Sequence, residues 1–322
     1  LAAPDGVYHG HAAVDDDGVG DQPVHIRCKV TIKGDELEVD FEGTAPQVAT
    51  NINCPFASTL ASALSCVKSV ISAPDIPFNE GCKRPITVEV PYGSILNPRS
   101  PAPVRARLLP AYRAYNAVMD ALAKAVPSQV IAPGYDTTTS FCLAHLGEKG
   151  YSVYLEIFGG GYGAGEGNDG VDAVDSPLSN CSNTPVESLD ADYDFFRVTG
   201  YALAPDSFGD GEYRGGAGFT RRYEILRDGV KLQTYADRHR LPPGGVFGGT
   251  DGLPGQTKLY RGDEVIIVPP KANLSFQKGD VIEIALGGGG GYGLPAKRQP
   301  AARDQDQANG MVTGSAQRIA AE

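Results

Sequence analysis

The chain contains no tryptophan and only two methionines and five histidines. Its histidines, at 9, 11, 25, 145 and 239, form no H-E-x-x-H pair, so that zinc-protease arrangement is excluded. The six cysteines (28, 54, 66, 82, 142 and 181) include no C-x-x-C, which removes zinc ribbons and dithiol redox motifs. They read as buried free thiols of a reducing compartment, and the expected location is cytoplasmic. No G-x-S-x-G elbow and no P-loop Lys-Ser or Lys-Thr follows any glycine run. Apolar stretches fall short of the roughly 20 residues that cross a bilayer. Basic residues number 28 against 39 acidic, a net charge of −11, and no basic stripe stands out. That balance argues against nucleic acid and against anionic membranes as partners.

What the chain has in excess is glycine, 41 residues in 322, well above the usual share of roughly 7%. There is no three-residue period, so a collagen-like helix is excluded. The glycines cluster at 159–165, 209–218 and 287–293. Five in a row at 287–291 cannot sit inside a helix or a strand centre. Ordering them is costly, so a packed backbone crossing, a ligand contact or a flexible hinge are the readings open.

Period-two alternation predicts strands over 24–32 and 36–41 around a Lys33-Gly34-Asp35 turn. Further strands are predicted over 86–90, 151–158, 195–203, 219–227, 231–237, 264–268 and 280–286. Arg227-Asp228-Gly229 reads as a hairpin turn. Helical spacing predicts helices over 56–72, opened by Pro55, and over 105–126, with Pro110 in the first turn. Residues 1–23 read as loop, and 299–322 as an extended, frayed or partner-wrapped tail. The fold class is therefore α+β, with two principal helices in the N-terminal half and mainly antiparallel strands in the C-terminal half. The expected parts are 1–150, 151–298 and the tail 299–322.

Several segments could carry chemistry. In the run 206–218, Arg214 can grip a carboxylate or phosphate through two parallel bonds, or pair internally with Asp206 or Asp210. Asn183 and Glu187 sit close together, with Asn53 and Asn79 offering similar polar chemistry, or all can cap turns. His9 and His11 would share a face if extended, near Asp15, Asp16 and Asp17, which suits a metal. The loop-like segment argues against it, and no metal ligands are assigned. No catalytic residue can be named from motifs.

The order of short segments is more specific than any one of them. Asp40-Phe41-Glu42-Gly43-Thr44, Asn51-Ile52-Asn53, Ile76-Pro77-Phe78-Asn79-Glu80-Gly81 and Pro91-Tyr92-Gly93-Ser94-Ile95-Leu96-Asn97-Pro98 occur in that sequence. They are followed by Asn183-Thr184-Pro185-Val186-Glu187, the run 206–216, and 288–295 with Arg298. This series resembles the hydantoinase B/oxoprolinase family over residues 5–298. The resemblance implies a hydrolase of cyclic amides that works with a hydantoinase A-type subunit in a hetero-oligomer. The partner would bind ATP and magnesium and phosphorylate the amide oxygen. The B-type part would complete the opening of a small cyclic-amide substrate.

Related subunits serve ketone carboxylases, and a non-catalytic scaffold role is a third reading. Family members carry an Asp/His-rich stretch in an N-terminal half, with a divalent metal, that this chain does not match. The chain starts at Leu1. The expectation is that the chain is a C-terminal fragment of such a subunit or that its N-terminal half sits on another polypeptide as a further partner, that this chain binds no cofactor itself, and that it is inactive alone. Asn53, Asn79, Asn183, Glu187, Asp206 and Arg214 are the expected substrate-binding or loop-ordering residues.

Overall fold

The computed structural model describes residues 3–71, 75–148, 150–174, 177–179 and 181–313. The chain divides into two compact units, Leu1–Ile131 and Ala132–Glu322. That places the division some 20 residues before the expected boundary at 150, because the strand at 139–147 belongs with the second unit.

The first unit is a four-stranded sheet with helices. Strand β1 is Gly6–Val14, β2 is Val24–Lys33, β3 is Glu36–Asp40 and β4 is Ile86–Glu89, and they lie side by side in that order. β1–β2 and β2–β3 are antiparallel; β3–β4 is parallel, joined through helix α1, Phe56–Ile71, and the short helix α2, Glu80–Lys83. Alternate residues Ile26, Cys28, Val30 and Ile32 of β2 are buried, as are Leu37 and Val39 of β3. Helix α3, Leu108–Ala123, is buried on nearly every side because it contacts both β1–β2 and α1. Pro110 lies in its first turn, where a missing N–H costs nothing.

Strand β1 corrects the expectation of a loop over 1–23. Its inward positions are Gly6, Tyr8, Gly10, Ala12 and Val14, mostly too small to announce a buried face. They are small because α3 lies close. A Cβ on Gly10 would stand 1.9 Å from the carbonyl oxygen of Ala117.

The second unit stacks two antiparallel sheets. One carries β5 (Thr139–Gly147) and β6 (Gly150–Phe158), followed in the chain by helix α4 (Val186–Asp192). The other holds β7 (Phe196–Leu203) and β8 (Phe219–Ile225). Then come β9 (Lys231–Tyr235), β10 (Gln256–Arg261), β11 (Glu264–Val268), β12 (Lys271–Ser275) and β13 (Val281–Ala285). The sheet orders are β12-β9-β5-β6 and β11-β10-β13-β8-β7. Their facing sides make an aromatic core: Phe141 stacks on Tyr223 at 4.8 Å between centroids, and Tyr154 lies 4.8 Å from Phe196.

The α+β class and the helix-early, strand-late distribution stand. The Arg227-Asp228-Gly229 turn, however, does not close a hairpin. It carries the chain from β8 in one sheet to β9 in the other, with Gly229 at φ 76°. The 299–322 segment is not extended throughout: Pro300–Ala308 is helix α5, and 314–322 lie outside the described residues.

The glycine clusters meet one another. The main-chain segment 287–291 hydrogen-bonds to several others. Gly287 and Gly290 oxygens accept from Gly161 and Ala164, and Gly289 oxygen accepts from Gly209. Gly289, Gly290 and Gly291 N–H groups donate to Gly216, Pro133 and Thr250. The neighbours rotate with position. A Cβ would strike Leu253 O from Gly287 and Gly244 O from Gly290. It would strike Ser207 O from Gly288, Asp210 O from Gly291, and Tyr162 O from Gly289, all at 2.0–2.4 Å. A neighbour that returns every third residue is the period of a polyproline-II-type rod, here surrounded by backbone on every side. Of the three readings open for the five glycines, the packed backbone crossing is the observed one.

Gly289→Ala should therefore cost at least about 3 kcal/mol, at the severe end of overpacking. Gly229→Ala, with open space around its Cβ, should cost about 1–2 kcal/mol from its left-handed backbone alone. Guanidinium unfolding of the two variants measures the difference.

Candidate functional site

The six expected residues fall into separate neighbourhoods. In the first unit Asn53 is fully buried. Its Oδ1 accepts from Val48 N at 2.8 Å and its Nδ2 donates to the Val48, Thr50 and Pro103 carbonyls at 2.9–3.0 Å. It ties two loops together through both ends of its amide. Asn79 is exposed and caps α2, its Oδ1 accepting from Gly81 N at 2.7 Å. It also lines an apolar cleft of about 450 Å³ with Leu64, Val67, Ile76 and Phe78.

In the second unit Asn183 belongs to a buried polar node. Its Nδ2 donates to Glu156 Oε1 at 3.0 Å, and its Oδ1 accepts from the Tyr201 hydroxyl at 2.8 Å. The same Glu156 oxygen accepts from Thr184 N at 2.7 Å and from Arg221 Nη1 at 2.9 Å. The Tyr154 hydroxyl donates to the other oxygen and shares a contact with Tyr223. Arg221 is fully buried, and Tyr201, 49% exposed, lies across its guanidinium at 4.9 Å. Burial pushes the Tyr223 phenol far up, against the pull of Arg221, and pushes Tyr201 up as well. With four donors on its two oxygens, Glu156 is an anchor and not a free base.

Glu156 and Arg221 were not among the expected residues, yet a signal existed. Each stands between aromatic residues at an inward position of an alternating strand, Tyr154-x-Glu156-x-Phe158 and Phe219-x-Arg221-x-Tyr223. A charged residue in phase with a buried aromatic face has to be paired. Glu187 lies exposed in the first turn of α4, and Asn180 lies outside the described residues.

Arg214 does pair internally, but with neither Asp206 nor Asp210. Its Nη1 meets Asp172 at 2.8 Å and its Nε meets Asp306 of α5 at 2.8 Å, with Phe208 under the guanidinium at 4.6 Å. Arg298 bonds the other oxygen of Asp306 at 2.7 Å and grips both oxygens of Asp169 at 2.7 and 2.8 Å. Two arginines and three aspartates thus fasten the 169–172 and 214–217 loops to α5. The aspartates that matter lie some 42 and 92 positions from Arg214, beyond what local charge pairing can show. Asp206, at φ 57°, takes hydrogen bonds from Thr313 N and Oγ1. Arg214 therefore holds loops to α5, and Asp206 holds the stretch at Thr313.

In the first unit His11 and His25 also meet, with Nε2 and Nδ1 2.9 Å apart. Burial, then His25 and Arg27, lower the His11 pKa, opposed by Asp120. Of the cysteines, 28, 54 and 66 are buried, 82 and 142 half-buried, and Cys181 is exposed. Burial pushes the Cys28 thiol up to about 12 and Cys54 to about 11, which keeps both protonated.

The fold and these networks define a class: an α+β chain whose second unit is built on glycine backbone and whose polar residues mainly lock loops. The hydantoinase B/oxoprolinase family model matches residues 1–295, and the chain belongs to that family. A relative named "Putative D-/L-hydantoinase" (the B-type subunit) from Pseudomonas sp. (strain NS671) is 34% identical over 96% of this chain and 54% of its own length. A 5-oxoprolinase, PfmaA of Pestalotiopsis fici, is 32% identical over 91% of this chain and 23% of its own. Among solved structures, the ATP-dependent caprolactamase of Pseudomonas jessenii is 29% identical, with a TM-score of 0.84, covering 97% of this chain and 55% of that one. The chain spans about half the length of the hydantoinase polypeptide it matches.

The Arg/Asp network gives a pH signature. Burial raises the Asp169 carboxyl, but Arg298 and the Arg214 N–H outweigh it, so the net pKa lies below the usual value. A depressed carboxylate contributes stability above its unfolded pKa, about 3.9, and loses it as pH falls through the folded value. The unfolding midpoint should therefore drop below about pH 4, and Arg298→Ala should make that drop shallower. Arg214→Ala, which takes the arginine from Asp172 and leaves Asp306 with Arg298 alone, should cost about 3 kcal/mol, read by thermal unfolding at pH 7.

Proposed function

We propose that this chain is part of a hydantoinase B-type subunit in an enzyme that opens a small cyclic amide at the expense of ATP. The observation that carries the reading is the family match over residues 1–295, which reaches into both units. The likeness to an ATP-dependent caprolactamase supports the same substrate class.

An unactivated lactam carbon is a poor electrophile. In this reading a hydantoinase A-type partner moves the terminal phosphoryl group of ATP to the amide oxygen. Water adds at the activated carbon, the C–N bond breaks, and the ring nitrogen takes up a proton. A second water releases phosphate from the resulting acyl phosphate. Lactam, ATP and two waters thus give the ring-opened amino acid, ADP and phosphate.

This chain's part is to hold shape. Glu156, Arg221 and Asn183 spend their hydrogen bonds inside the protein, as do Arg214 and Asn53. Among the described residues no group of three or more His, Cys, Asp or Glu side chains suits a metal. A divalent metal and Mg-ATP belong, in this reading, to the remainder of the assembly. Of the six expected residues, the exposed ones are Asn79, which caps α2, and Glu187.

The test is a coupled assay of the chain assembled with the rest of a B-type subunit and an A-type partner. Hydantoin, 5-oxoproline and caprolactam are offered, and ring opening is followed beside ADP. One of them should open with about one ADP per ring. Failure across the panel, or ATP turnover that requires bicarbonate and a ketone, would overturn the proposal.

A further inference from the structure

Three of the chain's five histidines stand on one sheet face of the first unit. His9 and His11 occupy alternate exposed positions of β1, and His25 is exposed on β2. The antiparallel register sets His11 opposite Arg27 and His25 opposite Ala13, so the two rings meet diagonally across the strands. Their centroids are 5.1 Å apart with a 36° tilt, and His11 Nε2 faces His25 Nδ1 at 2.9 Å.

Two imidazole nitrogens at that separation either share a proton or form the two ends of a chelate. Metal–imidazole bonds are about 2.0–2.1 Å. A right-angle bite at that length places the two nitrogens about 2.9 Å apart. The strands already hold the pair at that spacing, so a cation can replace the shared proton with ring rotation and no backbone shift.

We propose that His11 and His25 form a two-nitrogen chelate for a borderline divalent cation of the zinc, nickel or copper type. Imidazole is the side chain that suits these ions. Water completes the shell from a cleft of about 710 Å³ lined by His9, His11 and Asp120. The charges around the pair are mixed. Arg27 and Lys29 of β2 and Lys124 of α3 oppose a cation. Lys29 is engaged by Asp40 at 2.9 Å, and Lys124 by Asp120 at 3.3 Å. Asp120 Oδ2 also accepts from the His11 backbone N–H at 3.0 Å, and its charge favours a cation on the His11 ring. The site belongs to the first unit alone and does not rest on the proposed cyclic-amide chemistry.

The full chain, stripped with EDTA, is titrated with ZnCl2 and separately NiCl2 by calorimetry in a non-coordinating buffer. One saturable equivalent is expected. His11→Ala and His25→Ala should each weaken it at least tenfold, while His145→Ala and His239→Ala should not. His11→Gln and His25→Asn repeat the test with smaller loss of volume, and metal-free melting curves confirm that each variant is folded. Copper electron paramagnetic resonance should show two imidazole nitrogens in the parent and one in either single variant. Absence of saturable binding, binding unchanged in both histidine variants, or loss on Cys181→Ser instead would overturn the site.

Discussion

The second unit depends on backbone meeting backbone without side chains between. The 287–291 rod touches main chain from 133, 161–164, 207–216 and 244–253. Each contact leaves less than a methyl group's room. Five glycines are entropically expensive to order, and the compensation is visible. The N–H groups of 289–291 and the oxygens of 287 and 289–291 are satisfied by main chain in a region without helix or ladder. The rod serves in place of a strand, and the aromatic core between the two sheets lies beside it, with Tyr135 against both Gly160 and Gly287.

Charge is used in the same economical way. Glu156 and Arg221 are buried among Tyr154, Phe158 and Tyr223; Glu156 has donors on both oxygens, and Arg221 bonds Glu156 and the Thr184 carbonyl while its Nε has no partner among the described residues. Arg214 and Arg298 share Asp306 between its two oxygens. An acidic chain can place such pairs without a basic patch elsewhere, because arginine's fork matches carboxylates two at a time.

Elements with strong periodicity are legible in the amino-acid sequence: β2, β3, β4, β6, β7, β8, β9, β11, β13, α1 and α3 fall within a few residues of their expected places. Those that are not have physical reasons. β1 packs glycine and alanine inward. β5 is buried at most positions, so its alternation vanishes. β10 and β12 are short and carry Gln, Lys, Asn and Ser. Of the polar candidates, Asn53, Asp206 and Arg214 order loops. The partners of Asp206 and Arg214 are hidden in the sequence because those contacts span tens to a hundred residues. Glu156 and Arg221 are marked by strand phase alone, a quieter signal than the glycine-rich runs, where charged residues look more available than they are.

The rod also sets an order of events in synthesis. Every segment it touches, from 133 to 253, precedes it in the chain, and α5 with Asp306 comes later still. A ribosome therefore releases the glycine loops well before the piece that fills the space between them. Until residue 291 emerges, those loops have main-chain groups facing only water or one another. Contacts of such long sequence separation are slow to close.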